Sequence, residues 1–364
     1  MKALEAGYTY EVDNINSDLW NELILHFEDA SLYQTWSYGI VHSGEKSLSH
    51  IVLKKNDTFV GMAQARIAKL PGLPVGIAYI NKPMWKAKNE KTEVGHIMNM
   101  GRALYNEYVL KRKYYLRIIP NLIDSTENAW IKDVFHEEGF SHSQSRDQTV
   151  VLDLSPPLED IRRNLSRKWR QTLQRGEKNE MGILEGKDEK LCQMALDIFR
   201  EMKDRKGFFG EEQAEAIKVH KKLPENLKLN FMVCTDAGEP IAALAWVTFG
   251  STGLPLVSAT GSKALRLNAA YVLWWKMIQY YKVNGFSALD VGGVNEERNP
   301  GGYYFKTHIL GKGFKGPNRY FGQFDACRNP LSRILFKGIF AMRDRYRDEG
   351  RKMAKPKGKA EIEE

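Results

Sequence analysis

The stretch LNFMVCTDAGEPIAALAWVTF, residues Leu229 to Phe249, decides the fold. Two apolar runs, Leu229 to Cys234 and Ile241 to Phe249, flank a polar connection, Thr235 to Pro240, and read as the strands of a hairpin. Pro255 to Ala259 makes a third strand and Asn268 to Val283 a long helix. Gly285 stops that helix, and Ser287 to Val291 is a further strand. The first half of the chain repeats this order. Ile51 to Leu53 and Phe59 to Ile67 flank a turn at Lys54 to Asp57, and Val75 to Ile80 follows as a strand. A helix runs from about Thr92 to Lys111, and Tyr114 to Ile119 is a strand stopped by Pro120. Asn128 to Glu138 then reads as a helix with Gly139 at its C-cap, and Thr149 to Leu154 as a strand. Setting Gly61 near Ala242 and Ile77 near Val257 gives a spacing of about 180 residues, a repeat of pattern and not of letters.

A hairpin, a third strand, a helix and a further strand, in that order, resemble the core of the GNAT acyltransferase fold. Two copies imply an α/β protein of two tandem GNAT-like domains with mixed sheets, at residues 1–150 and 151–316. The segment 317–364 is expected to return to the first domain and to end in a basic, disordered tail. With 364 residues and 43% apolar content the chain can bury two cores of ordinary size, which excludes a disordered or fibrous protein.

Met1 to Asp13 lacks a basic region followed by an apolar one, so no secretory signal is read there. The longest apolar stretch, Leu267 to Tyr281, is broken by Lys276 and Gln279 and is too short to cross a bilayer. The expected location is cytoplasmic, with contact at the inner face of the membrane as an option. Cys192, Cys234 and Cys327 lie far apart, which argues against a disulfide framework or a structural zinc site. No metal is expected, since the eight histidines show no His-Glu-x-x-His spacing, and there is no Gly-x-Ser-x-Gly. No cofactor is expected either.

The net charge of +9 is concentrated in two places. Between Ile161 and Lys178 seven Lys/Arg face Glu177 alone, and between Arg343 and Lys359 eight face Asp344, Asp348 and Glu349. Such segments suit RNA, pyrophosphate or an anionic membrane face, or are simply solvated helix faces. In the first of them Ser155 can cap a helix in which Ile161, Leu165, Trp169 and Leu173 recur every four residues as one apolar face.

Five segments carry a closer resemblance, to the Fem (FemABX-like) family of non-ribosomal peptidyltransferases. Leu32-Tyr33-Gln34-Thr35-Trp36 is similar to the family's Gln-x-x-x-Trp region. Asn164 to Arg170, leading to Met181-Gly182-Ile183, resembles its basic helix before a strand. Met202 to Phe208 resembles its Arg-Asp-Gly-Phe element. Ala269 to Trp275, with Asp290-Val291-Gly292-Gly293-Val294, resembles its last helix and strand, and Gly302-Tyr303-Tyr304-Phe305-Lys306 its Phe-Lys signature. The likeness runs from about residue 30 to residue 325.

The resemblance implies transfer of an aminoacyl group from charged tRNA to an amine of a peptidoglycan precursor. It implies an active site at Phe305 and Lys306, with Lys306 near the donor ester. Aminolysis passes through an oxyanion that a fixed cation would stabilise, although a lone lysine is ordinarily a surface group. Arg205 with Lys203 is the candidate grip on an acceptor phosphate, because a guanidinium fork matches phosphate oxygens. Trp36, Gln34 and Tyr304 are further candidates for substrate contact. Asp290, at a strand end before two glycines, is either a general base or a loop anchor. Relatives often carry a phosphate-binding lysine after the N-terminal Trp, and Ser37 to Ser43 has none.

Two other functions stay open. One is an acyl-CoA-dependent N-acyltransferase acting on a small amine or an amino sugar of a cell-envelope polysaccharide. CoA-dependent GNAT enzymes usually carry Gln/Arg-x-x-Gly-x-Gly/Ala after a core strand, and Ala259 to Ala264 does not match it. The other is a non-enzymatic RNA- or membrane-binding adaptor resting on the basic segments.

Overall fold

A computed structural model of the chain describes residues 1–73, 75–88, 93–206 and 211–353. The first half contributes β1 (Tyr8–Val12), α1 (Ser17–Leu23), α2 (Trp36–Ser43), β2 (Leu48–Lys55), β3 (Thr58–Lys69), β4 (Gly76–Asn81), α3 (Val94–Leu104), β5 (Tyr115–Ile119), α4 (Trp130–Glu137) and β6 (Ser141–Ser143). The β2–β3 hairpin closes through Asn56 and Asp57, both with positive φ, 46° and 66°. A turn with two left-handed residues matches the twist of paired strands, and Asn and Asp tolerate it. β4 and β5 then pair in parallel, Ile77 to Asn81 against Tyr115 to Ile119.

The junction holds β7 (Gln148–Thr149), β8 (Val151–Asp153), α5 (Leu158–Asn164) and α6 (Arg167–Glu177). The single basic helix expected here is broken in two. Leu165 is extended (ψ 148°), and the Ser166 side chain caps α6 by accepting from the Trp169 N–H. Ser155 caps neither helix and bonds Asp153 instead. Ile161, Leu165, Trp169 and Leu173 are nonetheless all buried in one core, so the apolar pattern survives the break.

The second half continues with β9 (Gly182–Gly186), α7 (Glu189–Lys206), α8 (Glu211–Lys222), β10 (Asn230–Asp236), β11 (Glu239–Trp246), β12 (Thr252–Gly253), β13 (Pro255–Thr260), α9 (Ser262–Arg266), α10 (Ala269–Val283), β14 (Ala288–Asp290), α11 (Pro300–Thr307), β15 (Asn318–Arg319), β16 (Gln323–Ala326) and α12 (Pro330–Met353). The β10–β11 hairpin turns at Ala237 and Gly238, again with two positive φ values. Alternation along β11 sorts its side chains. Ala243 and Ala245 face the core shared with α7, α8 and the first half's Trp20 and Phe27, whereas Ala242, Leu244 and Trp246 face α6 and α10.

The strands form a seven-stranded sheet in the order β1-β2-β3-β4-β5-β16-β6, a four-stranded sheet β13-β11-β10-β9 and a three-stranded sheet β12-β14-β8. The architecture is α/β with mixed sheets, as expected. One departure from the sequence expectation matters. The strand expected over Thr149 to Leu154 as the last of the first half pairs through β8 with β14 of the second half. β16 sits between β5 and β6, fastened by the bidentate Arg117–Asp325 ion pair at 2.7 Å.

Candidate active site

β13 and β14 lie in separate sheets, and the end of β14 meets the end of β7 through Asp290 and Thr149. β14 ends on Asp290, whose carboxylate is 7% exposed. Its Oδ1 accepts from the Gly292 N–H (2.9 Å) and from the Thr149 hydroxyl, and its Oδ2 accepts from the Tyr320 hydroxyl at 2.8 Å. Three donors from three segments hold this carboxylate, and Gly292 takes the left-handed backbone (φ 77°) that the turn demands. Of the two readings of Asp290, the anchor accounts for every one of these contacts. Burial, with the Asp290 charge beside it, holds the Tyr320 hydroxyl in its neutral form well above the usual range.

The chain beyond the glycines folds into α11, capped by the Asn299 side chain on the Gly302 N–H (2.9 Å) with Pro300 in its first turn. No helix is expected here from the sequence, and Asn299 and Pro300 supply its start. Lys306 occupies its last turn, half-buried, and Nζ donates to the Gly293 carbonyl at 3.0 Å. Burial pushes its ammonium down to about 8, against the opposing pull of Asp290. Phe305 sits in an aromatic socket, its ring 4.9 Å from that of Tyr271, 5.3 Å from Trp274 and 5.7 Å from Trp169. That packing fixes the helix and so the root of the lysine. An ammonium has three donors, so one bond to Gly293 leaves two for a ligand.

The first half reaches the same place through Lys82, just past β4. Its backbone is left-handed (φ 57°), and its Nζ stands 5.2 Å from the centre of the Tyr33 ring and 5.9 Å from that of Tyr320. Burial lowers its pKa, and the Asp290 charge acts in the other direction. Asp290, Lys306, Lys82, Tyr320 and Thr149 therefore form one cluster drawn from both halves.

The other candidates lie elsewhere. Gln34 is fully buried, and its side chain is spent on the backbone of Gln64 and Asn81, at 2.6 Å to the Gln64 N–H and 2.6 Å to the Asn81 carbonyl. Direct substrate contact is closed to it in this arrangement, a correction to the expectation. Trp36 stacks on His50 at 3.8 Å and meets Trp20 edge-on. Tyr304 is exposed, stacked on His308 at 3.6 Å with the Lys168 ammonium 5.6 Å away. Arg205 and Lys203 end α7, on the opposite face of the four-stranded sheet from the core that holds Phe305. Arg205 donates to the Thr260 carbonyl at 2.7 Å. Gly207 and Phe208 of the Arg-Asp-Gly-Phe likeness, and the tail past Met353, lie outside the described residues. Lys82, Tyr33, Thr149 and Tyr320 were not singled out in sequence. The one local signal was a lysine set between Asn81 and Pro83 at the end of a buried strand.

The short helix α9 follows β13, and the Glu201 carboxylate accepts from the Ser262 N–H (2.9 Å) and hydroxyl (3.2 Å). An acidic side chain thus occupies one backbone donor at the start of α9.

Residues 159–307 match the family model described as the acetyltransferase (GNAT) domain. Among solved structures the chain is similar to FemX, at 13% identity with a TM-score of 0.70, over 90% of this chain and 99% of that one. It is also similar to a conserved protein of unknown function from Bacteroides thetaiotaomicron, at 12% identity and TM-score 0.57, over 88% and 100%. No curated protein matches. Residues 159–307 are thus similar to a GNAT acetyltransferase domain, and the chain has the fold seen in FemX.

Proposed function

We propose that this protein is an acyltransferase of the GNAT fold that passes an aminoacyl group from charged tRNA to an amine of a peptidoglycan precursor. The observation that carries the reading is Lys306, an ammonium drawn partly out of water, held on the rim of the Asp290 loop by a rigid aromatic socket, with donors to spare. When a neutral amine attacks the ester carbonyl, the C–N bond forms and the carbonyl electron pair moves to oxygen. A pre-placed ammonium there lowers the barrier without reorganising. Collapse expels the ribose hydroxyl, and the nitrogen loses its proton. Asp290 keeps the loop in shape, and Phe305 keeps Lys306 in place.

The alternative donor is an acyl-CoA. Glu201 on the Ser262 N–H disfavours it, because a carboxylate there repels a pyrophosphate. For this reading the chain divides into domains at 1–150 and 151–316, with 317–364 returning to the first. Incubation with charged tRNAs and, separately, acyl-CoAs, each with candidate precursors, tests it by mass spectrometry of the new amide. An amide formed only from acyl-CoA would overturn the donor assignment, and none from either would overturn the function.

A membrane contact belongs to the same proposal. On α12, Phe336 docks against Tyr115, while Leu331, Ile334 and Met342 are 62%, 76% and 61% exposed on the outward side, among Lys337, Arg343 and Arg345. An apolar stripe flanked by cations suits an anionic lipid surface. No helix among the described residues is long and apolar enough to cross a membrane. The full chain should sediment with anionic vesicles, and Ile334→Ser with Met342→Ser should abolish this. Equal sedimentation of both would refute the contact.

A further inference from the structure

α6 and α10 cross at Gly176, where a Cβ would stand 2.8 Å from the Val272 side chain and 3.1 Å from the Asn268 carbonyl. Beside this crossing lies a cavity of about 360 Å³, a volume within the range of small-ligand sites. Met181, Ile183, Val272 and Trp275 supply its apolar wall, all of them packed in or against the core of the second half. None of these side chains is among those that hold Phe305 or Asp290.

Charges of both signs meet at the rim of that wall. Arg162 of α5 donates to both carboxylate oxygens of Glu177, the last residue of α6, at 3.0 and 2.5 Å. The two side chains are 34% and 33% exposed. An ion pair this open to water contributes little and separates at small cost. The guanidinium carbon also stands 5.4 Å from the centre of the Trp275 ring, a contact that keeps Arg162 over the cavity when Glu177 lets go. Gln279, half-buried one turn along α10 from Trp275, makes no side-chain hydrogen bond among the described residues. Its amide therefore lines the cavity with donor and acceptor unspent.

We infer that this cavity is a binding site for a free apolar α-amino acid, with its carboxylate on Arg162, its ammonium on Glu177 and its side chain against Met181, Ile183 and Trp275. A zwitterion entering between Arg162 and Glu177 gives each a new opposite charge, whereas a lone anion or a lone cation leaves one member of the pair unmatched. Glu177 also ends α6, where the helix dipole is negative and favours an ammonium. The Arg162 fork matches the two oxygens of a carboxylate, and Lys276 adds a second cation to the lining. The apolar wall favours a branched or aromatic side chain over that of glycine. The site stands apart from the acyl-transfer centre and does not depend on that reading.

The test is calorimetric titration of the full chain with no acyl donor or acceptor present. The ligands are L-leucine and L-phenylalanine, each beside the amine and the carboxylic acid that lack its other charge, with glycine as the control for the apolar wall. At least one of the two amino acids should bind tenfold or more tightly than glycine and than both of its one-charge analogues. Arg162→Gln and Glu177→Gln should each weaken that binding about tenfold, the scale of one charge-assisted hydrogen bond. Arg162→Lys, which keeps the charge, should retain most of it and serves as the folding control. Lys306→Ala should leave the affinity as it is. The site is overturned by no binding of either amino acid, by equal affinity for the zwitterions and their one-charge analogues, or by unchanged affinity in both Gln variants. A loss in Lys306→Ala alone overturns it too, since the ligand then sits at the acyl-transfer centre.

Discussion

The two halves run the same order of elements and close it differently. In the first, β4 and β5 pair in parallel along five residues. In the second, the corresponding strands β13 and β14 lie in separate sheets, and the two-residue β12 is what pairs in parallel with β14. The gap is filled by Tyr281, fully buried, whose hydroxyl donates to the Val247 carbonyl (2.8 Å) and accepts from the Leu254 N–H (2.9 Å). Its ring lies so close to Gly253 that any Cβ there would stand 2.6 Å from it. A closed seam satisfies its backbone by itself and has nothing left for chemistry. A split seam needs a side chain to hold it, and the chain leaving β14 becomes free to build the Asp290 loop.

The largest expected effect comes from the split side. Lys306→Ala should lower kcat by roughly 10²- to 10³-fold, the range for losing one oxyanion donor, with KM little changed and the melting temperature kept. Wild-type turnover in a folded variant would remove Lys306 from the mechanism. Next comes Tyr281→Phe, which strips a donor and an acceptor from a buried gap and should destabilise the protein by about 1–3 kcal/mol in denaturant titration. A neutral result would mean that the seam holds itself. Against it, Ile118→Val in the closed seam should cost about 0.5–1.5 kcal/mol, a packing loss with no polar group exposed.

A pH profile sharpens the contrast. The Lys306 ammonium is lost as pH rises through about 8, and the cation is the working form. Turnover should therefore fall toward a tenfold loss per unit above that value. Lys306→Arg should remove this basic limb, since guanidinium stays charged. A limb that persists in the variant would belong to another group.

The parts legible in sequence are those with a local cause. Both hairpins were readable because Asn56-Asp57 and Ala237-Gly238 sit between apolar runs. The long helix α10 announced itself by fifteen residues rich in apolar side chains. Pairing of strands was not legible, because β8 and β14 find each other across more than a hundred residues, and no local pattern records that. Lys306 and Asp290 were reached through their motif, and the structure adds what surrounds them. Lys82, Tyr33 and Tyr320 were invisible as a group because their nearness exists only once the halves are assembled. Gln34 misled in the opposite sense, since a polar residue beside a motif can be there to saturate backbone groups.

The placement of β16 between β5 and β6 has a consequence for the order in which the molecule can be made. Residues 323–326 leave the ribosome after every other strand, yet the first sheet cannot link β5 to β6 without them. Until then Tyr115 to Ile119 shows an open edge, with Arg117 inside a sheet and lacking Asp325. An unpaired edge invites foreign strands. The N-terminal half therefore carries that open edge throughout the synthesis of the C-terminal half, and the arrival of one four-residue strand closes it.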